Sequence, residues 1–311
     1  MLLKKDNMLI LGYPMWNGQM WENIGEMEAK GWELSVNWND KKGDFSYGVG
    51  VNLSSIRNKA IKLNGAPIYT QSFNGDYIIR NEEGHEISQF YGYVADGLFQ
   101  NQTEINAHTG EHGEILQPNA QPGDIRFKDL NNDGVLDDKD KTYIGSAFPD
   151  LMVGINANFS WKNIDFMANF YGTIGNDVYN TTKGRYSGAG GENVYAGAYN
   201  AAWHGEGTSY DIPRLSVNDA NMNYKRVSSF FVEDGSYLRC KQLQIGYTFP
   251  KTWTKVCTLR ISFSAQNPFT ITKYSGMDPE AAATGAVTES GVDWAGYPNP
   301  RTYLFGLNIN F

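Results

Sequence analysis

The most regular feature of the chain is an alternation of apolar and polar residues with a period of two, the side-chain period of a β-strand. Trp32, Leu34, Val36 and Trp38 are apolar, and Glu33, Ser35 and Asn37 separate them. A turn is predicted over 39–43, after which Phe45, Tyr47, Val49, Val51 and Leu53 share one face of a returning strand. The pattern recurs over Leu151–Trp161 and, beyond a short turn at Lys162-Asn163, through Ile164, Phe166, Ala168 and Phe170. Leu243, Ile245, Tyr247 and Phe249 precede a turn at 250–255, and Leu259, Ile261, Phe263 and Ala265 follow it. Tyr303, Phe305, Leu307, Ile309 and Phe311 carry the alternation to the last residue.

Strands of about ten residues with one apolar and one polar face fit a tilted strand crossing a bilayer. A soluble sandwich shows the same alternation, so the pattern alone leaves both open. Two further features favour a membrane barrel. The polar faces carry Asn, Ser, Gln, Arg and Asp over long strands, as a wet lumen requires. Connections alternate between short turns (39–43, 162–163, 250–255) and long loops (57–147, 177–235, 268–299), the asymmetry of outer-membrane barrels. A strand ending at an aromatic is also an exposed edge in a soluble protein, whereas in a barrel it closes the sheet. The expected fold class is therefore all-β, an antiparallel transmembrane β-barrel with long extracellular loops. Tyr303, Phe305, Leu307, Ile309 and Phe311 are the expected barrel-assembly signal.

Composition narrows the function. The formal charge is −8 with no basic stripe, which argues against nucleic acid as a partner. No run approaches the roughly 18 apolar residues of a spanning helix. The start, Met1-Leu-Leu-Lys-Lys-Asp, has the lysines of an export signal, but Asp6 and Asn7 interrupt any apolar core. The true beginning of such a protein is expected to lie upstream. The two cysteines, Cys240 and Cys257, fall at non-facing positions of one hairpin and are expected as free thiols.

The sharpest local motif spans 129–140, a calcium-loop-like insertion within an extracellular loop. It fits the D-x-[DN]-x-[DN]-G pattern of calcium loops. Asp129, Asn131 and Asp133 supply side-chain oxygens, Gly134 permits the sharp turn, Val135 offers a carbonyl, and Asp137 and Asp140 complete the set. Asp replaces the usual bidentate Glu at the last position, and no helix pair brackets the loop. The alternatives are a structural Ca²⁺ or Mg²⁺, and an Asx-rich turn without metal. No catalytic pattern appears: His85, His108, His112 and His204 lack metal-ligand spacing, and Glu82-Glu83 sits in a polar loop. The chain is not expected to be an enzyme. Tyr186, Tyr195, Tyr199, Trp203, Trp294 and Tyr297 lie in the long loops as candidate contacts to substrate or partner, where aromatic faces can stack on sugars or fill loop cores.

Several runs together resemble one family. Gly92-Tyr-Val-Ala-Asp-Gly-Leu-Phe99, Gln121-Pro-Gly-Asp-Ile-Arg-Phe-Lys-Asp-Leu-Asn-Asn-Asp-Gly134 and Ile144-Gly-Ser-Ala-Phe-Pro-Asp150 are similar to SusC/RagA-type TonB-linked outer-membrane proteins of Bacteroidetes. So are Glu233-Asp-Gly-Ser-Tyr-Leu-Arg239, Thr270-Ile-Thr-Lys-Tyr-Ser-Gly-Met-Asp-Pro279 and Tyr297-Pro-Asn-Pro-Arg-Thr-Tyr303. The resemblance implies a barrel of about 22 strands around a plug. It also implies a SusD-like surface lipoprotein as partner, TonB as energy source, the outer-membrane assembly machinery, and an oligosaccharide or peptide substrate. Residues 1–311 show about eight strands and match the C-terminal part of such a barrel, with the plug, the TonB-contacting segment and the N-terminal strands absent. The alternative reading is a calcium-stabilised carbohydrate-binding β-protein without transport activity.

Overall fold

The computed structural model describes residues 8–15, 18–63, 65–186, 194, 196–280, 282 and 286–311. Its main sheet has nine strands: eight form an antiparallel meander, each hydrogen-bonded to the next, and the short strand Thr270–Thr272 pairs off this path with Tyr237–Arg239. The meander strands are β1 (Met8–Met15), β2 (Gly18–Lys42), β3 (Phe45–Lys62), β4 (Leu151–Trp161), β5 (Ile164–Ile174), β6 (Tyr237–Thr248), β7 (Thr258–Gln266) and β8 (Thr302–Asn310). The described sheet is an open wall with β1 and β8 at its edges.

The register places like with like across the wall. Trp38, Val49, Ala157, Ala168, Leu243, Ala265 and Tyr303 form one continuous cross-strand row. One residue along, Asn37, Gly50, Asn156, Asn169, Gln242 and Gln266 form a polar row on the opposite face. Gly50 is needed there: a Cβ would lie 2.4 Å from the Asn37 Oδ1 and 2.5 Å from the Asn156 Nδ2. The apolar face is uncovered, with Trp38 64% and Phe305 85% exposed. A contiguous apolar band of this extent is untenable in water and is what lipid covers.

The first hairpin departs from the expected turn at 39–43. Asn39 and Asp40 continue β2, pairing with Gly48 and Tyr47, and the reversal takes only Gly43 and Asp44. Gly43 has φ +62°, which suits a two-residue hairpin. At about 3.3 Å per residue, β2 is far longer than an apolar band of about 25 Å. Its outer part therefore stands clear of the membrane together with β3.

The long connections are not bare loops. The one between β3 and β4 holds a four-stranded antiparallel sheet of Ile68–Phe73, Asp76–Asn81, Gln89–Gly92 and Thr142–Ser146. It also pairs Ala95–Leu98 with Ile125–Phe127. Asp177–Asn180, between β5 and β6, pairs with Val232–Asp234 and, in parallel, with Val292–Asp293 from the connection after β7. Phe73, Ile79, Phe90, Tyr179, Phe231 and Val292 then pack into one buried cluster drawn from all three connections. Tyr179 stacks on Phe231 at 5.3 Å between ring centroids. The three excursions thus make a single cap on the long-loop side of the wall.

Candidate functional site

The cap is fastened to the polar face of the wall by buried charge. Arg239, on the polar face of β6 opposite Tyr171, donates to Asp278 at 2.5 Å and to Glu280 at 2.7 Å. Both the Arg239 and Asp278 side chains are almost wholly buried. Lys241 also reaches Glu280, and the Asn299 backbone N–H and side chain donate to Asp278. Burial alone would raise the Asp278 carboxyl; Arg239 and the donated hydrogen bonds hold it below its ordinary range.

A second junction lies at Glu233, which pairs with Lys183 at 3.1 Å and accepts from the Ser275 backbone and hydroxyl. Burial pushes this carboxyl up, but Lys183 and Ser275 leave it lowered. A third joins the first two connections: Asp124, fully buried, accepts from Arg214 Nε at 2.6 Å and from Asn223 at 2.9 Å. Gln117 and Asn221 extend this network to the Ile125 carbonyl. Beside the Lys183–Glu233 pair lies a cavity of about 590 Å³ with Ile212, Leu215, Tyr224 and Phe230 in its walls.

The 129–140 segment forms a tight Asx-rich loop. Asp129 Oδ2 accepts from Gly134, Asn131 Oδ1 from Asp133, Asp133 Oδ1 from Val135, and Asp137 Oδ1 from Lys139. Asp140 is buried and accepts from Leu130 and Asp137. Asp129 Oδ1 is buried without a partner. Lys139 places its ammonium 3.4 Å from Asp133 and 3.8 Å from Asp137. The hydrogen bond from Asn131, then that from Val135, lower the Asp133 carboxyl. Among the described residues no three His, Cys, Asp or Glu side chains are gathered to hold a metal.

The loop aromatics fall in different settings. Tyr297 is 90% exposed, and Tyr199 is exposed and stacks on His204. Trp294 is partly exposed, donates to Gln71 and packs near Phe73. Trp203 packs against the cluster of Tyr93, Leu98, Ile125 and Phe127 and donates to Gln100. The Tyr186 side chain and all of Tyr195 lie outside the described residues. Tyr303, Phe305, Leu307 and Ile309 share the apolar face of β8, and Phe311 follows its last residue. The ion pairs at Arg239, Glu233 and Asp124 were not candidates from sequence, although each lies within a run that carries the family resemblance.

No family model matches the chain. TonB-dependent receptor P3 of Formosa agariphila is 35% identical over 304 residues, which are 93% of this chain and 29% of that protein. TonB-dependent receptor SusC of Bacteroides thetaiotaomicron is 28% identical over 308 residues, 95% of this chain and 27% of that protein. The RagAB peptide importer in its open-open state superposes with a TM-score of 0.71 at 21% identity, covering 98% of this chain and 31% of that one. The chain thus spans under a third of the length of these relatives. The two sequence relatives are receptors rather than enzymes, and the RagAB importer shares the fold seen here. Over nearly its whole length the chain is thus similar to a segment of the SusC/RagA-type TonB-dependent receptors, β-barrel proteins of the bacterial outer membrane.

Proposed function

We propose that this chain forms part of the barrel wall and outer cap of a nutrient importer. In this reading it acts with a SusD-like lipoprotein and draws energy through TonB, for oligosaccharides or peptides. The observation that carries the reading is a lipid-facing apolar band backed by a polar face, with a folded cap locked to that polar face through Arg239. Such a wall separates lipid from a hydrated passage, and the cap governs what enters it. Exposed Tyr297 and Tyr199 lie on the cap as contacts for the lipoprotein or substrate. A free-standing carbohydrate-binding module is disfavoured by the uncovered apolar band, which has no role in water. The test is uptake of labelled oligosaccharides and peptides by cells making the receptor that carries this chain, with and without functional TonB. TonB-dependent uptake supports the proposal; equal uptake in cells lacking the receptor contradicts it.

The 129–140 loop is proposed as a structural Ca²⁺ or Mg²⁺ site, supported by its oxygen-rich donor set and the unpartnered Asp129 Oδ1. The Lys139 ammonium is the competing source of positive charge. Ca²⁺ should slow proteolysis within this loop, and Asp129→Ala should abolish that protection. Equal cleavage with Ca²⁺ and with chelator would remove the metal from the account.

A further inference from the structure

A second cavity, of about 410 Å³, opens where the cap meets the polar face of the wall. Met152, Tyr171, Thr173 and Tyr237 line it from β4, β5 and β6. The register puts these residues on the polar face: Met152 pairs with Thr173, and Thr173 with Tyr237. The cap supplies Phe148, Asn176, Asp177 and Glu280, among others.

Two polar groups in this lining are unmet. Thr173 and Asn176 are each only 9% exposed. The Thr173 Oγ1 and the Asn176 Oδ1 are nevertheless buried with no hydrogen-bond partner. Leaving such a group unpaired costs about 1–3 kcal/mol, so a hydroxyl and an amide oxygen both unpaired in the lining of one cavity mark a place built for a partner. The charged groups nearby are already engaged. Glu280 is held by Arg239, Lys241 and Asn299, and Asp177 accepts from the Ser146 amide. No lysine, arginine or histidine among the described residues lines the cavity. It therefore offers no positive charge to a carboxylate, sulfate or phosphate, and Asp177 and Glu280 would repel one. The rings of Tyr171 and Tyr237 lie 6.3 Å apart, edge to face, and present an aromatic wall. A compact ring with hydroxyls that both donate and accept, and with apolar C–H faces, meets all of these demands at once.

We infer that this cavity is a subsite for one neutral sugar ring of an incoming glycan, with Thr173 and Asn176 as its hydrogen-bonding pair and Tyr171 and Tyr237 as its apolar wall. The inference rests on the import reading above and selects saccharide over peptide within it.

The test is calorimetric titration of the detergent-purified, full-length receptor that carries this chain. The probes are neutral oligosaccharides from starch, laminarin, mannan and xylan, and a tryptic peptide mixture. At least one saccharide should bind, and Thr173→Val and Asn176→Leu should each weaken it about tenfold, the scale of one lost hydrogen bond. Thr173→Ser, which keeps the hydroxyl, should restore binding. Heat-modifiable migration on gels confirms that each variant is folded. Saccharide binding unchanged in both variants overturns the subsite. Peptide binding without saccharide binding overturns the sugar assignment while leaving the importer reading intact. Binding of neither class also overturns the subsite, and the TonB-dependent uptake assay then judges the importer reading separately.

Discussion

Arg260 grips Asp165 through both ends of its guanidinium, at 2.5 and 2.7 Å, although β6 runs between their two strands. The side chain crosses directly over Gly246, where a Cβ would lie 2.3 Å from the guanidinium. Asp165, Gly246 and Ser262 share one cross-strand row on the polar face. The glycine therefore makes room for a charge pair that ties three strands together. Both partners are partly exposed, so the pair contributes at most about 1 kcal/mol. Gly246→Ala and Arg260→Ala should each cost about that much in denaturant unfolding from liposomes. The double variant should cost no more than either single one. Additive losses would show that Gly246 does not act through Arg260.

The two faces of β6 should respond in opposite ways to the same change. Leu243 lies in the apolar cross-strand row and Gln242 in the polar one. Leu243→Arg should cost about 2–4 kcal/mol near the bilayer midplane and reduce the yield of heat-modifiable barrel. Gln242→Arg, on the polar face, should assemble nearly normally. Equal loss at both positions would contradict the assignment of the faces.

Much of this wall was legible in the sequence because the alternation is long and uninterrupted. Leu151–Trp161 and the short turn at Lys162-Asn163 appear as expected. The first hairpin differs from the sequence pattern at its tip, since Asn39 and Asp40 look like turn residues but are held in register by Gly48 and Tyr47. The cap was illegible for a different reason. Its strands are two to six residues long, too short for a period to emerge, and its core joins Phe73 to Tyr179, Phe231 and Val292 across the whole chain. Glu233, Arg239, Asp278 and Asn299 all sat in runs resembling the family. That Glu233 meets Ser275, and that Arg239 and Asn299 meet Asp278, is a tertiary fact without any local pattern.

The cap core should fail independently of the wall. Phe231 is fully buried against Phe73, Tyr179 and Phe230. Phe231→Ala should cost about 3–5 kcal/mol, all of it within the cap. Limited trypsin digestion should then cut within the long connections while heat-modifiable migration persists. Loss of the folded barrel in this variant would show that cap and wall form one cooperative unit.

Acid should loosen the same region. Glu233 and Asp278 both have carboxyl pKa values lowered in the folded chain despite burial. Their stabilisation is present above the unfolded values, near pH 4, and is lost as the pH falls through and below that range. Pepsin cleavage of the cap should rise steeply between about pH 4 and pH 2.5 relative to a control substrate. Glu233→Gln should flatten part of that rise. An unchanged pH profile in this variant would show that Glu233 adds no pH-dependent stability.

The most direct test of the central claim is a nitroxide scan along β8, from Tyr303 to Ile309, in the reconstituted receptor with Cys240 and Cys257 replaced. Labels at 303, 305, 307 and 309 should be accessible to oxygen, which concentrates in lipid. Labels at 304, 306 and 308 should be accessible to a water-soluble nickel chelate instead. Accessibility to the nickel chelate without a two-residue period would mean that both faces are wet, and that this sheet is not the wall of a membrane barrel.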